Sequence, residues 1–395
     1  MKQRLEYKIA KTINSYGGNA YYVGGYVRDK LLNIDNTDID IEVHNIEPKL
    51  LKKILSKYGK VNTFGSSFGI YNVKGIDIAM PRKELNTGVG HKDFEIYVDP
   101  YIGTMKASKR RDFTINSLMQ DVLTNEIIDH HNGLSDLNNK IIRHIDPITF
   151  VEDPLRVLRA AQFASRFEFK IHSSTLKLCK SINIKSLSKQ RVEEELKKAL
   201  LKANKPSIFF KYLKKMNQLN YWFKQLDDQK LNSTLSMLDK ASEYRQSVNN
   251  KYGFMLSVLC VNMKNSKRFL KRFTDNAEII NYVTNMNKLV NKLLKCIDTK
   301  QSNFVFNDAI DPQDLIYYAL TLNPNSKYLF ENYKVYQKVS KKHYVTGKDL
   351  IELGFKPNDN FKKILDYSYR LQLSNISKSE CINKTIKYAR TIQPR

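Results

Sequence analysis

Two carboxylates separated by one residue are the clearest candidates for chemistry in this chain. Asp38 and Asp40 lie in the segment Thr37-Asp38-Ile39-Asp40-Ile41-Glu42. On a β-strand, side chains two apart point to the same face, and two like charges held that close are costly unless a cation neutralises them. Hard divalent ions such as Mg²⁺ take carboxylate oxygens and keep coordination positions free for phosphates. The pair therefore predicts a catalytic metal site with Asp38 and Asp40 as ligands, although an Asp-x-Asp pair alone also occurs on solvated edge strands.

A glycine pair and an arginine precede these carboxylates. The apolar residues Tyr22-Val23 run into Gly24-Gly25, and Arg28 follows in what the pattern predicts to be a helix. A Gly-Gly turn at a helix start exposes backbone N–H groups to an anion, so Gly24, Gly25 and Arg28 are predicted to hold a triphosphate. A Gly-Gly pair alone is often only a turn. Followed by the two carboxylates, it predicts a site for phosphoryl or nucleotidyl transfer.

A second group of polar residues lies in the segment Arg110-Arg111-Asp112-Phe113-Thr114-Ile115-Asn116. On a helix, Asp112 and Asn116 would share a face because they are four residues apart. Acceptors and donors of this kind suit ribose hydroxyls, and the fork of Arg111 suits a phosphate. The alternative is structural: Asp112 caps a helix and Asn116 is exposed.

A third group begins at Asp153-Pro154, a pair typical of a helix start. Asp153, Arg156 and Arg159 follow at intervals of three and are neighbours on a helix surface. A carboxylate accepts from an amine and a guanidinium donates to a carbonyl or ring nitrogen. Such a pair accepts cytosine and adenine and repels guanine and uracil. The structural alternative is that Asp153 only caps the helix and Arg156 pairs with Glu152.

In this order, the motifs resemble those of class II tRNA nucleotidyltransferases and bacterial poly(A) polymerases, within the polymerase-β-like superfamily. The stretch Gly133–Leu137 and the segment Thr346–Gly354 agree with that family, and the main resemblance covers roughly residues 20–170. It implies a template-independent enzyme that adds CCA from CTP and ATP to the 3′ end of tRNA, with two Mg²⁺ ions and release of pyrophosphate.

The resemblance also implies roles for individual residues. Arg111 would contact the nucleotide, with Asp112 and Asn116 near the sugar. Asp153 and Arg156 would read the base, and Arg159 would support them. Relatives often carry arginine where this chain has Gln162, which places one cationic contact in doubt.

Other activities within the family stay open, namely addition of CC only, of the final A only, or of poly(A). Bacterial poly(A) polymerases carry a basic signature where this chain has Gly65-Ser66-Ser67-Phe68-Gly69, which favours the tRNA enzyme. The loop from Pro81 to Tyr101 has the length found in enzymes that add all of CCA. Some members of the resembled family carry a metal-dependent phosphohydrolase domain with His-Asp ligands. No histidine occurs between residues 173 and 342 here, so we expect that activity to be absent. A basic RNA-binding protein without catalysis is the alternative from another class.

Charge and glycine content divide the chain. Residues 1–150 hold 12 of the 15 glycines and have 21 basic and 18 acidic residues, so the other 45 basic and 22 acidic residues give the remainder a net charge of +23. We predict an α+β nucleotidyltransferase head with a small mixed or antiparallel sheet (1–150), a helical neck with the base template (151–205), and a helical body and tail that bind tRNA (206–395). A Lys-rich solvated surface is the alternative for the basic part.

Location and assembly are less constrained by the sequence. No run of 18 apolar residues and no signal-peptide pattern occurs, so we expect a cytoplasmic protein without membrane contact. The roles of Glu42 and of Asp77, a possible third carboxylate, stay open, as does the oligomeric state.

Overall fold

A computed structural model describes residues 4–64, 69–86, 94–226 and 230–393. Within these residues lie eleven strands: β1 (Asn19–Val23), β2 (Asp40–His44), β3 (Asn62–Phe64), β4 (Ile70–Val73), β5 (Ile76–Ala79), β6 (Arg82–Asn86), β7 (Phe94–Val98), β8 (Met119–Asp121), β9 (Ile127–Ile128), β10 (Ile141–Ile142) and β11 (Lys170–Ile171). The residues 65–68 of the compared poly(A) polymerase signature, and residues 87–93 of the loop from Pro81 to Tyr101, lie outside the described residues.

The main sheet of the head has seven strands in the order β3-β4-β5-β2-β1-β8-β9. Its neighbours are antiparallel except for β2 and β5, which run parallel, so the sheet is mixed. β2 lies in the middle, where Ile41 and Val43 are buried on one face. The strand that carries the predicted catalytic carboxylate is thus fixed on both edges by hydrogen bonding to β1 and β5.

Helices make up most of the rest. The first nine are α1 (Leu5–Ser15), α2 (Gly25–Leu31), α3 (Pro48–Ser56), α4 (Thr104–Lys109), α5 (Gly133–Asn138), α6 (Pro147–Glu152), α7 (Leu155–Phe167), α8 (Ser173–Ser181) and α9 (Lys189–Lys202). Short 3₁₀ turns occur at Thr114–Asn116, Ile184–Ser186, Lys224–Leu226 and Pro324–Tyr328. The segment Pro48–Leu55, whose apolar residues recur at helical spacing, lies in α3, and the alternating segments Ile76–Ala79 and Phe94–Val98 form β5 and β7.

The later part of the chain contains α10 (Ser207–Lys215), α11 (Leu219–Trp222), α12 (Leu231–Tyr244), α13 (Lys251–Leu259), α14 (Ser266–Leu270), α15 (Ala277–Leu294), α16 (Thr299–Asp308), α17 (Pro312–Leu322), α18 (Leu329–Ser340), α19 (Gly347–Glu352), α20 (Asn360–Leu373) and α21 (Lys378–Ile392). The α+β head and the helical remainder confirm the predicted fold class. The one exception among the described residues after 150 is β11, which pairs in parallel with β10.

Contacts between Cα atoms divide the chain into two compact units, residues 1–196 with 208–221 and residues 197–207 with 222–395. The three-part division made from the sequence stays a prediction. In the second unit, α19 begins at a capping box between Thr346 and Asp349 and ends before Gly354, whose φ of +87° suits glycine. Leu350 then packs in a small core with Phe355.

The helices and the cysteines of the described residues bear on membrane contact and on thiol chemistry. Throughout the described ranges, no helix is both long enough and apolar enough to cross a membrane. The four cysteines, at positions 179, 260, 296 and 381, are free and buried. Burial raises the pKa of the Cys179 thiol to about 12, which makes it unreactive at neutral pH.

Candidate active site

The predicted metal ligands lie at the start of β2. Asp40 is the first residue of that strand, and Asp38 lies just before it rather than inside it as predicted. The backbone N–H of Asp38 donates to Asn36 Oδ1 at 2.9 Å, so an Asx turn places this carboxylate. Asp38 and Asp40 are both exposed. Because Asp40 is the first residue of this central strand, it lies at the end of the strand, where a ligand can reach it.

Asp77 faces Asp40 from the neighbouring strand. The two residues are partners in the parallel β2–β5 register, and the Asp77 N–H donates to the carbonyl of Ile39 at 3.1 Å. Although part of the residue is exposed, partial desolvation of the Asp40 carboxyl raises its pKa above the ordinary value; the charges of Asp77 and Asp38 add to the rise, and Arg111 opposes it. Repulsion among three carboxylates favours a cation between them. The sequence left the role of Asp77 open, and the strand register places this residue beside Asp40.

The donor chemistry fits a hard divalent ion held partly by other ligands. Carboxylate oxygens are what such ions prefer, and Mg²⁺ usually keeps several positions for water and phosphate. Within the part of the chain that the structure describes, no group of three or more His, Cys, Asp or Glu side chains is arranged to enclose a metal by itself. The site therefore suits an ion that arrives with, or is completed by, a phosphorylated substrate.

The glycine turn lies against the guanidinium of Arg111. Gly24 has φ +63° and ψ −126°, and a Cβ atom built on it would lie 3.0 Å from Arg111 Nη1. Any side chain at Gly24 would therefore be strained and would press on that guanidinium. Gly25 is the first residue of α2. The turn thus brings together backbone N–H groups and an arginine that lies 86 residues later in the chain.

Arg28 lies beneath this turn and is 3% exposed. Its guanidinium donates to Asp29 Oδ1 at 2.6 and 2.8 Å and to Asn116 Oδ1. The same guanidinium stacks on the rings of Phe163 and Phe167, at 5.1 and 4.7 Å from their centroids. Sequence reasoning placed Arg28 on the triphosphate, and this role stays a prediction; in the structure, three of its five N–H groups donate to neighbouring side chains.

Asp112 and Asn116 are brought together, although not by an α-helix. Asn116 ends a 3₁₀ turn at Thr114–Asn116, Asp112 lies two residues before it, and Asn116 Nδ2 donates to Asp112 Oδ1 at 2.9 Å. Arg159 Nε donates to Asp112 Oδ2 at 2.7 Å. Burial would raise the pKa of Asp112, but Arg159 and the Asn116 hydrogen bond outweigh it and lower the pKa below its ordinary value. The alternative of an exposed Asn116 is wrong, since this residue is buried.

The third group of residues surrounds the start of α7. The Asp153 carboxylate accepts from the Leu155 N–H at 3.0 Å, and α7 begins at Leu155. Arg156 donates to the carbonyls of Thr149 and Arg110, both at 2.7 Å, and no ion pair with Glu152 accompanies these bonds among the described contacts. The helix start was therefore predicted correctly, and two donors of Arg156 are engaged by the backbone.

Three residues near these groups received no role from the sequence patterns. Arg191 on α9 pairs with Asp153 through Nη2, at 3.0 and 3.1 Å from the two carboxylate oxygens. Glu42 and His44 on β2 are buried and bonded to each other, and Glu42 also pairs with Arg111. The alternation of β2 puts Glu42 and His44 on the Asp40 side of the strand, which is the signal that could have found them. The partners themselves come from distant segments and carry no local signal.

Comparisons with known proteins agree with this architecture. Residues 20–143 match the family of poly A polymerase head domains. The chain also resembles a structure of the Thermotoga maritima CCA-adding enzyme complexed with tRNA, with a TM-score of 0.72 and 22% identity over 97% of this chain and 94% of that one. An apo form of a CCA-adding enzyme gives a TM-score of 0.76 at 22% identity, over 97% and 95% of the two chains.

This is the fold of the CCA-adding enzymes. The resemblance inferred from the head motifs is thereby confirmed. Among curated proteins, the multifunctional CCA protein of Haemophilus ducreyi is 37% identical over 216 residues, which cover 52% of this chain and 51% of that protein. The Pseudomonas putida multifunctional CCA protein is 32% identical over 245 residues, 60% of this chain and 64% of that protein. The chain thus spans about half to two thirds of the length of these curated relatives.

Proposed function

We propose that this chain is a template-independent nucleotidyltransferase that adds CCA, from CTP and ATP, to the 3′ end of tRNA. The observation that carries the proposal is the proximity of Arg111 both to Asp40, at the start of the central strand β2, and to the Gly24 turn. The named relatives and the complexes of CCA-adding enzymes with tRNA, ATP and CTP support the choice of substrates. A cytoplasmic location belongs to the same proposal, because its substrates are found there.

The reaction joins the 3′ oxygen of the RNA to the α-phosphorus of the nucleotide. The bond from that phosphorus to the bridging oxygen breaks, and pyrophosphate leaves. Asp38 and Asp40 would hold Mg²⁺, with Asp77 beside them as a third negative charge. When bound, the metal lowers the pKa of the attacking hydroxyl and neutralises charge on the leaving group.

Arg111 and the Gly24 and Gly25 amides would hold the triphosphate in line. Nη2 at one end of the Arg111 guanidinium is engaged by Glu42, whereas Nη1 lies beside the Gly24 turn. Donors left over in this way are suited to phosphate oxygens. Arg28, which donates to Asp29 and to Asn116, would support the turn from below. Positioning of this kind supplies much of the catalysis in such transfers.

Base selection is assigned to the start of α7. Asp153 would accept from the amine of cytosine or adenine and repel the carbonyl of uracil or guanine. Arg156 would donate with the N–H groups that remain beside its two backbone bonds. Arg159 would hold Asp112 near the sugar, together with Asn116. The helical remainder, with its net charge of +23 after residue 150, would bind the tRNA.

Extension of a labelled tRNA that lacks its 3′-terminal CCA tests this proposal. The full chain is incubated with that tRNA, Mg²⁺, CTP and ATP, with Asp40→Asn as the matched inactive control. We expect extension by the wild-type chain only, and none after chelation of the metal. Equal extension by both proteins would contradict the metal assignment, and extension by neither would favour a non-catalytic RNA-binding protein.

A further inference from the structure

Glu42 and His44 are two buried ionisable residues that the proposed reaction does not use. Both lie on β2 after Asp40, and they are 1% and 2% exposed. A carboxylate removed from water is strongly destabilising unless cations and hydrogen-bond donors surround it. A purely structural sheet position of this kind is ordinarily apolar, as Ile41 and Val43 are. The pair therefore requires a physical explanation.

The Glu42 carboxylate is shared between two kinds of donor. His44 Nε2 lies 3.0 Å from Oε1, whereas Arg111 Nη2 lies 3.2 Å and Arg110 Nη2 3.7 Å from Oε2. Because an ionised carboxylate only accepts, the His44 ring nitrogen is the donor. The His44 ring also packs edge-on against Tyr21, with centroids 5.5 Å apart. Oε1 of Glu42 is thus held by His44 of the same strand, and Oε2 faces the two arginines.

The opposite end of Arg111 faces the glycine turn. Its Nη1 occupies the place next to Gly24 where a side chain would otherwise be. A guanidinium is planar, with its donors in a fixed fork. Engaging Nη2 with Glu42 therefore sets the direction of the remaining N–H groups. Without the anchor, the long side chain would have several rotamers open to it.

We propose that Glu42 and His44 are positioning residues that hold Arg111 against the Gly24 turn, ready for the triphosphate of the incoming nucleotide. This inference rests on the proposed function. His44 orients the carboxylate, the carboxylate orients the guanidinium, and neither residue contacts the substrate itself.

Inhibition by inorganic triphosphate tests the inference in the full chain, because that probe has phosphates but neither base nor sugar. The variants are Glu42→Gln, which keeps the shape and removes the charge, and His44→Phe, which keeps the ring on Tyr21 and removes the donor. Loss of a charge-assisted bond should weaken triphosphate inhibition, and raise KM for CTP and ATP alike, by about tenfold or more. KM for the RNA should not change.

A control separates positioning from folding. Asp136 is another buried carboxylate of the head, bonded to Arg143 at 2.9 Å. Asp136→Asn should lower the melting temperature and leave triphosphate inhibition unchanged. If Glu42→Gln fails to fold, His44→Phe still decides the matter, since it leaves the Glu42 charge and its arginines in place.

The outcomes also distinguish this inference from the proposed function. If Arg111→Ala loses triphosphate inhibition while Glu42→Gln and His44→Phe keep it, the positioning pair is refuted and the phosphate site stands. If triphosphate inhibits Arg111→Ala as strongly as the wild type, or if the wild-type chain adds no nucleotide, the proposed site itself is wrong. Weakened inhibition in all three variants supports the inference.

Discussion

Replacement of Asp153 separates a base-reading role from a helix cap. The carboxylate caps α7 through the Leu155 N–H at 3.0 Å and pairs with Arg191. Asparagine caps a helix about as well as aspartate, so Asp153→Asn should keep the helix start. Its amide, however, can donate to a carbonyl, which removes the repulsion of uracil and guanine. Asp153→Ala should lose both the cap and the discrimination.

The magnitudes follow from these contacts. The ion pair with Arg191 has side chains 34% and 37% exposed, and solvent-screened pairs of this kind contribute about 0–1 kcal/mol. Loss of the cap in Asp153→Ala costs about 1 kcal/mol. A good contact to a base edge discriminates by about 1–3 kcal/mol, or roughly 5- to 150-fold. Incorporation of UTP relative to CTP should rise by about that factor in both variants.

The assay measures kcat/KM for CTP, ATP, UTP and GTP together with the melting temperature of each variant. We expect Asp153→Asn to melt near the wild-type temperature and to have lost much of its preference for C and A. Wild-type preference in both variants, with Asp153→Ala alone less stable, would refute the base-reading role and leave Asp153 as a cap.

Other substitutions and conditions test the remaining parts. Asp38→Ala or Asp40→Ala should abolish nucleotide addition with nearly unchanged tRNA affinity, measured by filter binding; a rate above about a tenth of wild type would contradict the metal assignment. Because folding lowers the pKa of Glu42 from 4.5 to about 2, its stabilisation is complete above the unfolded pKa and is lost as pH falls towards 2. In Glu42→Gln, the free energy of unfolding should therefore fall less steeply with decreasing pH below about pH 4.5 than in the wild type. The affinity of the full chain for tRNA should fall steeply between about 50 and 200 mM salt, and a flat response would mean that the basic residues are only a solvated surface.

The sequence predicted several elements of the head and the start of the neck because their signals are local. Alternation, glycine turns and an Asp-Pro helix start depend on neighbouring residues, and β5, α3 and the start of α7 follow from them. The first strand residue of β2 was placed too early, because Asn36 turns the chain at Asp38. The parallel pairing of β11 with β10 was missed, since two-residue strands have no periodicity of their own.

The candidate site was predictable in its residue types but not in its contacts. Arg28 and Arg111 are both arginines near a glycine turn, and only the packing of Phe163 and Phe167 shows that Arg28 is buried. Glu42 meets Arg111 across 69 residues of sequence. A pairing at that distance depends on how the sheet and α4 are assembled, and no single-sequence pattern contains it.

Sequencing of RNA 3′ ends is the most direct test of the central claim. A tRNA transcript that ends before its CCA is incubated with the full chain, Mg²⁺ and all four nucleoside triphosphates, and the product ends are read. We predict that most products end in a single CCA. Products ending in CC, in a single A or in a long run of A would assign another activity of the same fold, and unextended ends with the Asp40→Asn control indistinguishable from wild type would contradict the claim that this site transfers nucleotides.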